Sequence, residues 1–138
     1  MSTQEIRTLA QRDLDLAARL VKSVPAAPDK TGQIYGGLCH QFPVMVRTCG
    51  LCQAVAFSEA KAKAGEDEHR KRAHQLLLDH VAQVLAIRDG ADGLLPWLRQ
   101  ANSLEYLYAT RRVLAAWIYF KRFAESILKI APGQSENR

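Results

Sequence analysis

Residues 42–61 read FPVMVRTCGLCQAVAFSEAK, and residues 119–126 read YFKRFAES. Both have the apolar spacing of helix, and each sets basic side chains beside a dense apolar face. Working outward from them, the same period recurs along almost the whole chain. Ser2 and Glu5 form a candidate capping box. The residues Ile6, Leu9, Ala10, Leu16, Ala17, Leu20, Val21 and Val24 then follow the three–four spacing of a buried stripe. Pro25 and Pro28 end that helix. A second is expected from Asp29 to Gln41, with the pair Gly36-Gly37 marking a bend or a close approach. Pro43 favours a break or a fresh first turn. Residues 42–63 therefore read as a short helix, a joint at Gly50 and a longer helix.

Gly65 closes that stretch, and an amphipathic helix is expected over residues 66–88. Its core stripe is Ala73, Leu76, Leu77, Val81, Val84 and Leu85. The turn DGADG (89–93) leads to a short helix, LLPWLRQA. The last helix opens at Asn102 or Ser103, with Glu105 completing a capping box, and is expected to run to Ile130. No stretch sustains the alternation of a strand. The expected fold is all-α: a compact bundle of about six or seven helices over residues 1–131, followed by a flexible tail, PGQSENR (132–138).

Size and composition narrow the functions available. The chain has 138 residues, 48% hydrophobic and 24% charged, with a formal net charge of +5 and a pI near 9.3. That is a globular composition with a basic balance, which favours an anionic partner. The polar N-terminus does not resemble a secretory signal, and no apolar run approaches the roughly 20 residues that span a bilayer. Three cysteines, an odd number, fit a reducing compartment. A cytoplasmic protein without membrane contact is the expectation.

Candidate chemistry is sparse. Cys49 and Cys52 (CGLC) lack the βαβ context of a thiol redox motif. With Cys39 and His40 they form a conceivable zinc set, but a single CxxC lacks the second ligand pair usual in structural zinc sites. Packing as small apolar thiols is the simpler use. His69, His74 and His80 share one helix at spacings of five and six, which spreads them around its axis. His80 falls near the apolar stripe, as a hydrogen-bonded core histidine does. Asp13, Asp15, Glu66, Asp67 and Glu68 read as first-turn or solvated acids. Phosphate-loop, zincin, nucleophile-elbow and dinucleotide motifs are absent. The chain is therefore expected to be no enzyme, with no cofactor, metal or small-molecule substrate.

The basic residues are more informative. At 100° per residue, Arg111, Arg122 and Lys129 fall within about 20° of one another on the last helix, opposite Val113, Phe120, Ala124 and Ile127. Tyr108 and Tyr119 flank this line. Lys61, Lys63, Arg70, Lys71 and Arg72 cluster around Gly65. Lys121 lies at the margin of the apolar face, where its stem can pack while its ammonium reaches outward. Such lines suit a phosphate backbone, although a solvated face has the same pattern.

The pattern Pro43, Gly50, Leu51, Phe57, Lys61, together with KRFAES at 121–126, resembles one family across essentially the whole chain. It is the small all-helical subunit (Cmr5) of the Cmr, or type III-B, CRISPR effector complex. The chain departs from it by carrying Arg111-Arg112 where an acidic helix turn is common. The resemblance implies a structural role in antiviral defence. Such subunits stack end to end with copies of themselves and beside the other Cmr subunits that hold the guide RNA. Together they form a groove along the guide–target RNA, and neighbouring subunits carry the nuclease and signalling chemistry. Lys61, Lys63, Arg70, Lys71, Arg111, Lys121, Arg122 and Lys129 are the residues expected to touch RNA or an adjacent subunit. Two other readings compete. One is a helical adaptor binding a partner protein through an apolar groove near Gly36-Gly37 and Trp97, and the other is a zinc or thiol protein built on CGLC.

Overall fold

The computed structural model describes residues 6–133. Among the described residues there are six helices and no strand: α1 (Leu9–Lys22), α2 (Lys30–Cys49), α3 (Leu51–Lys63), α4 (Glu68–Val84), α5 (Ala91–Gln100) and α6 (Ser103–Ser126). Helix α2 lies against α4 and α6, α3 and α5 pack on α4, and α1 lies along α6. The all-α expectation holds, with several boundaries moved.

The first helix begins at Leu9. The Thr8 hydroxyl accepts from the Gln11 N–H at 3.1 Å, and the Gln11 side chain accepts from the Thr8 N–H at 2.7 Å. This reciprocal cap satisfies two donors that a helix start leaves open. The box expected at Ser2 and Glu5 lies outside the described residues. Ile6, Leu9 and Ala10 are exposed, against the expectation of a buried stripe. The buried side of α1 instead runs Asp13, Ala17, Leu20, Val21. Its first position is charged, so hydrophobic periodicity cannot register it.

Helix α2 passes through Pro43 without ending, which overturns the break expected there. Proline removes one N–H and crowds the preceding turn. Here its ring is buried along with Phe42 and Val46, and that packing offsets the lost bond. The joint at Gly50 is real. Its φ of 94° lies in the left-handed region that glycine adopts without strain. With no side chain to cap α3, Gly50 leaves that task to α6: the Tyr106 hydroxyl accepts from the Cys52 N–H at 2.8 Å.

Helix α4 starts at its Asp67 cap and ends at Val84, inside the expected 66–88 span. The chain reverses there at Ala86, with φ 57°, and the Ile87 N–H returns to the Ala82 carbonyl at 2.9 Å. Helix α5 begins at Ala91, within the DGADG segment that was expected to be turn throughout. Helix α6 has the expected Asn102–Glu105 capping box, both bonds 2.9 Å, but stops at Ser126 and not Ile130. Lys129 takes a φ of 65°, and the Ile130 N–H bonds back to the Ala124 carbonyl at 3.0 Å.

That reversal lays Ile130 on Gly36, where an added Cβ would stand 2.7 Å from the Ile130 side chain. The His40 Nε2–H donates to the Ile130 carbonyl at 2.8 Å. Gly36 is thus a close approach, as expected, and its space is filled by the chain's own C-terminal segment. Of the expected tail, residues 134–138 lie outside the described residues.

The core centres on α2, α4 and α6. Trp117 stacks on Phe120 at 4.1 Å and 10°, and Phe42 tilts against Trp117 at 5.3 Å. Tyr35 is fully buried and its hydroxyl lies 2.6 Å from His80 Nδ1. Burial pushes the tyrosine pKa well up and lowers that of His80 to about 4. Both groups are therefore neutral near pH 7. His74 sits 3.2 Å from the Ser58 hydroxyl and is likewise held down to about 4, by burial and then by Arg70 and Lys61.

Candidate functional site

The basic residues expected to form one cluster around Gly65 divide between two surfaces. Lys61, at the end of α3, and Arg70, on the first turn of α4, line one cleft of about 230 Å³ with Ala64, Gly65, Glu66 and Asp67. The Asp67 carboxylate caps α4, accepting from the His69 and Arg70 N–H groups at 3.0 and 3.2 Å. The Lys61 ammonium lies 5.4 Å from the centre of the Phe57 ring, a cation–π contact at an exposed edge. Lys63 stands outside this cleft, 3.9 Å from Glu59.

Lys71 turns toward a second cleft of about 480 Å³, shared with Arg72, His69, Glu68, Asp29 and Thr31. Its ammonium is 3.7 Å from Glu68. His69 Nδ1 lies 3.0 Å from the Thr31 hydroxyl and 3.3 Å from Asp29. The Thr31 backbone N–H, followed by its side chain, holds the Asp29 carboxyl below its usual range. Glu68 is well exposed, and a pair with such a partner contributes about 0–1 kcal/mol. A stronger anion can therefore displace Glu68 at little cost.

The expected line on α6 is shortened. Arg111 and Arg122 are both exposed on the helix, whereas Lys129 lies three residues past its end and leaves the line. Lys121 is half-buried at the edge of the apolar face, as its position implied. Arg112, adjacent to Arg111, has the opposite fate. It is buried, and its two terminal nitrogens donate to the two Asp13 oxygens at 3.0 and 2.9 Å. A third contact, 3.5 Å long, reaches the Val84 carbonyl. The Asp13 hydrogen bond is the main cause raising the Arg112 pKa above its already high value.

This pair corrects the reading of Asp13 as a solvated acid. Around it, Arg7, Arg12, Asp15 and Arg19 open a groove of about 350 Å³ between α1 and α6. With Asp13 paired to Arg112 and Arg7 lying 3.8 Å from Asp15, Arg12 and Arg19 supply the excess positive charge. Sequence reasoning missed this groove. Its signal is the seven-residue spacing of Arg12 and Arg19 on one helix.

The thiols do not converge. Cys39 is buried in α2 and burial pushes its pKa up to about 12, Cys49 is exposed at the end of α2, and Cys52 is half-buried in α3. The CGLC motif thus straddles the Gly50 joint. Among the described residues, no three of His, Cys, Asp and Glu are close enough to share a metal ion. The apolar groove of the adaptor reading is closed at Gly36 by Ile130. Trp97, 37% exposed, instead borders a separate cleft of about 480 Å³ with Ile87 and Pro96. Among the described residues, no helix is long and apolar enough to cross a membrane.

Comparison with known proteins agrees with this architecture. The family model described as CRISPR-associated protein (Cas_Cmr5) matches residues 9–127, from the first residue of α1 to the C-cap of α6. A protein named CRISPR system Cmr subunit Cmr5, from Thermus thermophilus, is 40% identical over 95 residues, covering 69% of this chain and 75% of that one. A crystal structure of a CRISPR-associated Cmr5 family protein from the same species superimposes with a TM-score of 0.72. It is 36% identical, over 89% of this chain and 99% of the other.

Proposed function

The chain belongs to the Cmr5 family of CRISPR-associated proteins, and on that premise we propose that it is a non-catalytic scaffold subunit of a type III-B effector ribonucleoprotein. In this role it stacks with copies of itself and with other Cmr subunits along the guide–target RNA groove, in antiviral defence. The observation that supports the role best is the pairing of family membership over the whole helical body with a group of surface cations at one corner of it. In the α3–α4 corner, Lys61 and Arg70 share one cleft, exposed Lys63 lies beside half-buried Glu59, and half-buried Lys71 lies beside exposed Glu68.

Contacts of that kind suit a guided complex. Base pairing between guide and target carries the sequence information, so the protein need only neutralise phosphate and set register. Lysines on flexible stems at the end of α3 can follow a backbone without reading its bases. His74 and His80 take no part, because both are held neutral and enclosed.

The role is tested by tagged purification from the native host, with mass spectrometry of co-eluting proteins and sequencing of co-eluting RNA. Other Cmr subunits and short guide RNAs are the expected companions. Recovery of the chain alone, or with unrelated proteins and no RNA, overturns the role. Within the recovered complex, RNA affinity should fall with salt by a slope of about −0.7 per neutralised phosphate of a single strand. Reversing Lys61, Lys63 and Arg70 to Glu should flatten that slope, and an unchanged slope removes the corner from the RNA path.

A further inference from the structure

The outer face of α6 carries more than its two arginines. At 100° per residue, Leu104, Tyr108, Ala115 and Ile118 all fall within about 40° of the Arg111–Arg122 line. Leu104 is 76% exposed, Tyr108 62% and Ile118 54%. From Leu104 to Arg122 the strip runs about 27 Å, at 1.5 Å per residue. Single exposed apolar residues are ordinary, but a continuous strip of them marks a contact surface. The inner face of the same helix is already packed into the core through Val113, Trp117, Phe120 and Ala124.

We propose that this strip docks on an apolar surface edged by carboxylates on a different protein subunit, and that Arg111 and Arg122 pair there with protein and not with RNA. The inference rests on the assembly role above and names the partner of one of its faces. Charge and spacing select this occupant. The two guanidiniums are separated by eleven residues, about 16.5 Å of helix, with Ala115 and Ile118 between them. A phosphate track would press its charges against those apolar side chains, which offer no hydrogen bond for the water they displace.

A second copy of the same strip is disfavoured as well. The nearby acids are Glu105, whose Oε1 is held by the Asn102 N–H at 2.9 Å, and Glu125 at the far end. Neither lies between the arginines, so two strips face to face would set cation against cation. Among the described residues Arg111 and Arg122 have no carboxylate partner of their own. A carboxylate-edged partner supplies the missing charge in the planar, two-pronged geometry that suits guanidinium.

The test uses the complex reconstituted from this full chain, the other Cmr subunits and guide RNA. Ile118→Asp and Arg122→Glu should each lower retention of the chain in the complex by about tenfold or more. Arg99→Glu, at an exposed arginine of α5 outside the strip and the clefts, should leave protein retention intact. A photo-reactive benzophenone side chain placed at position 118 keeps the surface apolar and should crosslink to another Cmr subunit. Unchanged retention in both strip variants overturns the inference. So does a crosslink to RNA, which makes the strip a nucleic-acid face, or to a second copy, which makes it a stacking face. If the wild-type chain itself is not retained, the assembly role has failed and the strip's partner falls with it.

Discussion

Arg111 and Arg112 are adjacent in the chain and about 100° apart around α6, yet they lie in opposite physical regimes. Arg112 faces α1, out of water, and is held by both oxygens of Asp13. Arg111 faces outward, on the side of α6 that carries exposed Leu104 and Ile118. The inner seam neutralises its own charge within one fold, whereas the outer strip leaves positive charge and apolar area both uncovered. A buried cation must carry its counter-ion with it, because desolvation costs several kcal/mol. An exposed one can wait for a partner. The same residue type therefore reports folding on one side of the helix and assembly on the other.

Breaking the seam should produce the largest effect. Asp13→Ala leaves Arg112 buried without its carboxylate and should destabilise the chain by about 3–5 kcal/mol in urea denaturation. An Asp13→Leu, Arg112→Met double variant should recover most of that loss. If Asp13→Ala costs under about 1 kcal/mol, the seam behaves like an exposed pair and the contrast between the two faces collapses.

Acid should test the interior in a second way. His74 and His80 are lowered to about 4, from an unfolded value near 6.5. Between those values the unfolded chain binds more protons, so stability is fully present above about pH 6.5 and declines as pH falls toward 4. The loss should approach about 3 kcal/mol per histidine at its acid limit, from 1.36 kcal/mol per pKa unit. A His74→Gln, His80→Gln variant should show a flatter profile over this window. An unchanged profile would place the proton uptake elsewhere.

Tyr106 gives a smaller, local effect. Its hydroxyl caps α3 from across the fold, so Tyr106→Phe should cost about 1 kcal/mol. The amide of Cys52 should then exchange faster with solvent. Unaltered exchange there would mean that water replaces the phenol fully.

The smallest stability effect belongs to the outer strip. Arg111→Glu and Arg122→Glu should shift unfolding by no more than about 0.5 kcal/mol, in contrast to the adjacent Arg112. A large loss of stability in either variant would assign these arginines to the fold and remove the distinction from the inner seam.

Much of the architecture was legible in the chain. The Asn102–Glu105 box, the Gly50 joint and the stripe through Leu77 and Val81 follow from local rules of capping, φ and period, and each has its expected form. Ile6 and Leu9 were misread because they share a period with the buried side of α1 without having a neighbour to cover them. Pro43 was misread because its cost is local while the packing that offsets it is not. The candidate site was legible only as a set of cations. Their sorting into the Lys61–Arg70 cleft, the Lys71–Arg72 cleft, the α1–α6 groove and the α6 strip was not.

The sequence alone determined an all-helical chain, its basic balance and its family resemblance, since period, charge and motif spacing are properties of the chain itself. Only the tertiary structure decided which arginine is buried, which helix end is capped from afar and which apolar face stays uncovered. Asp13 and Arg112 are 99 residues apart, and Cys52 and Tyr106 are 54 apart. A contact across such a distance depends on where two helices cross, and that crossing is set by the packing of the whole core.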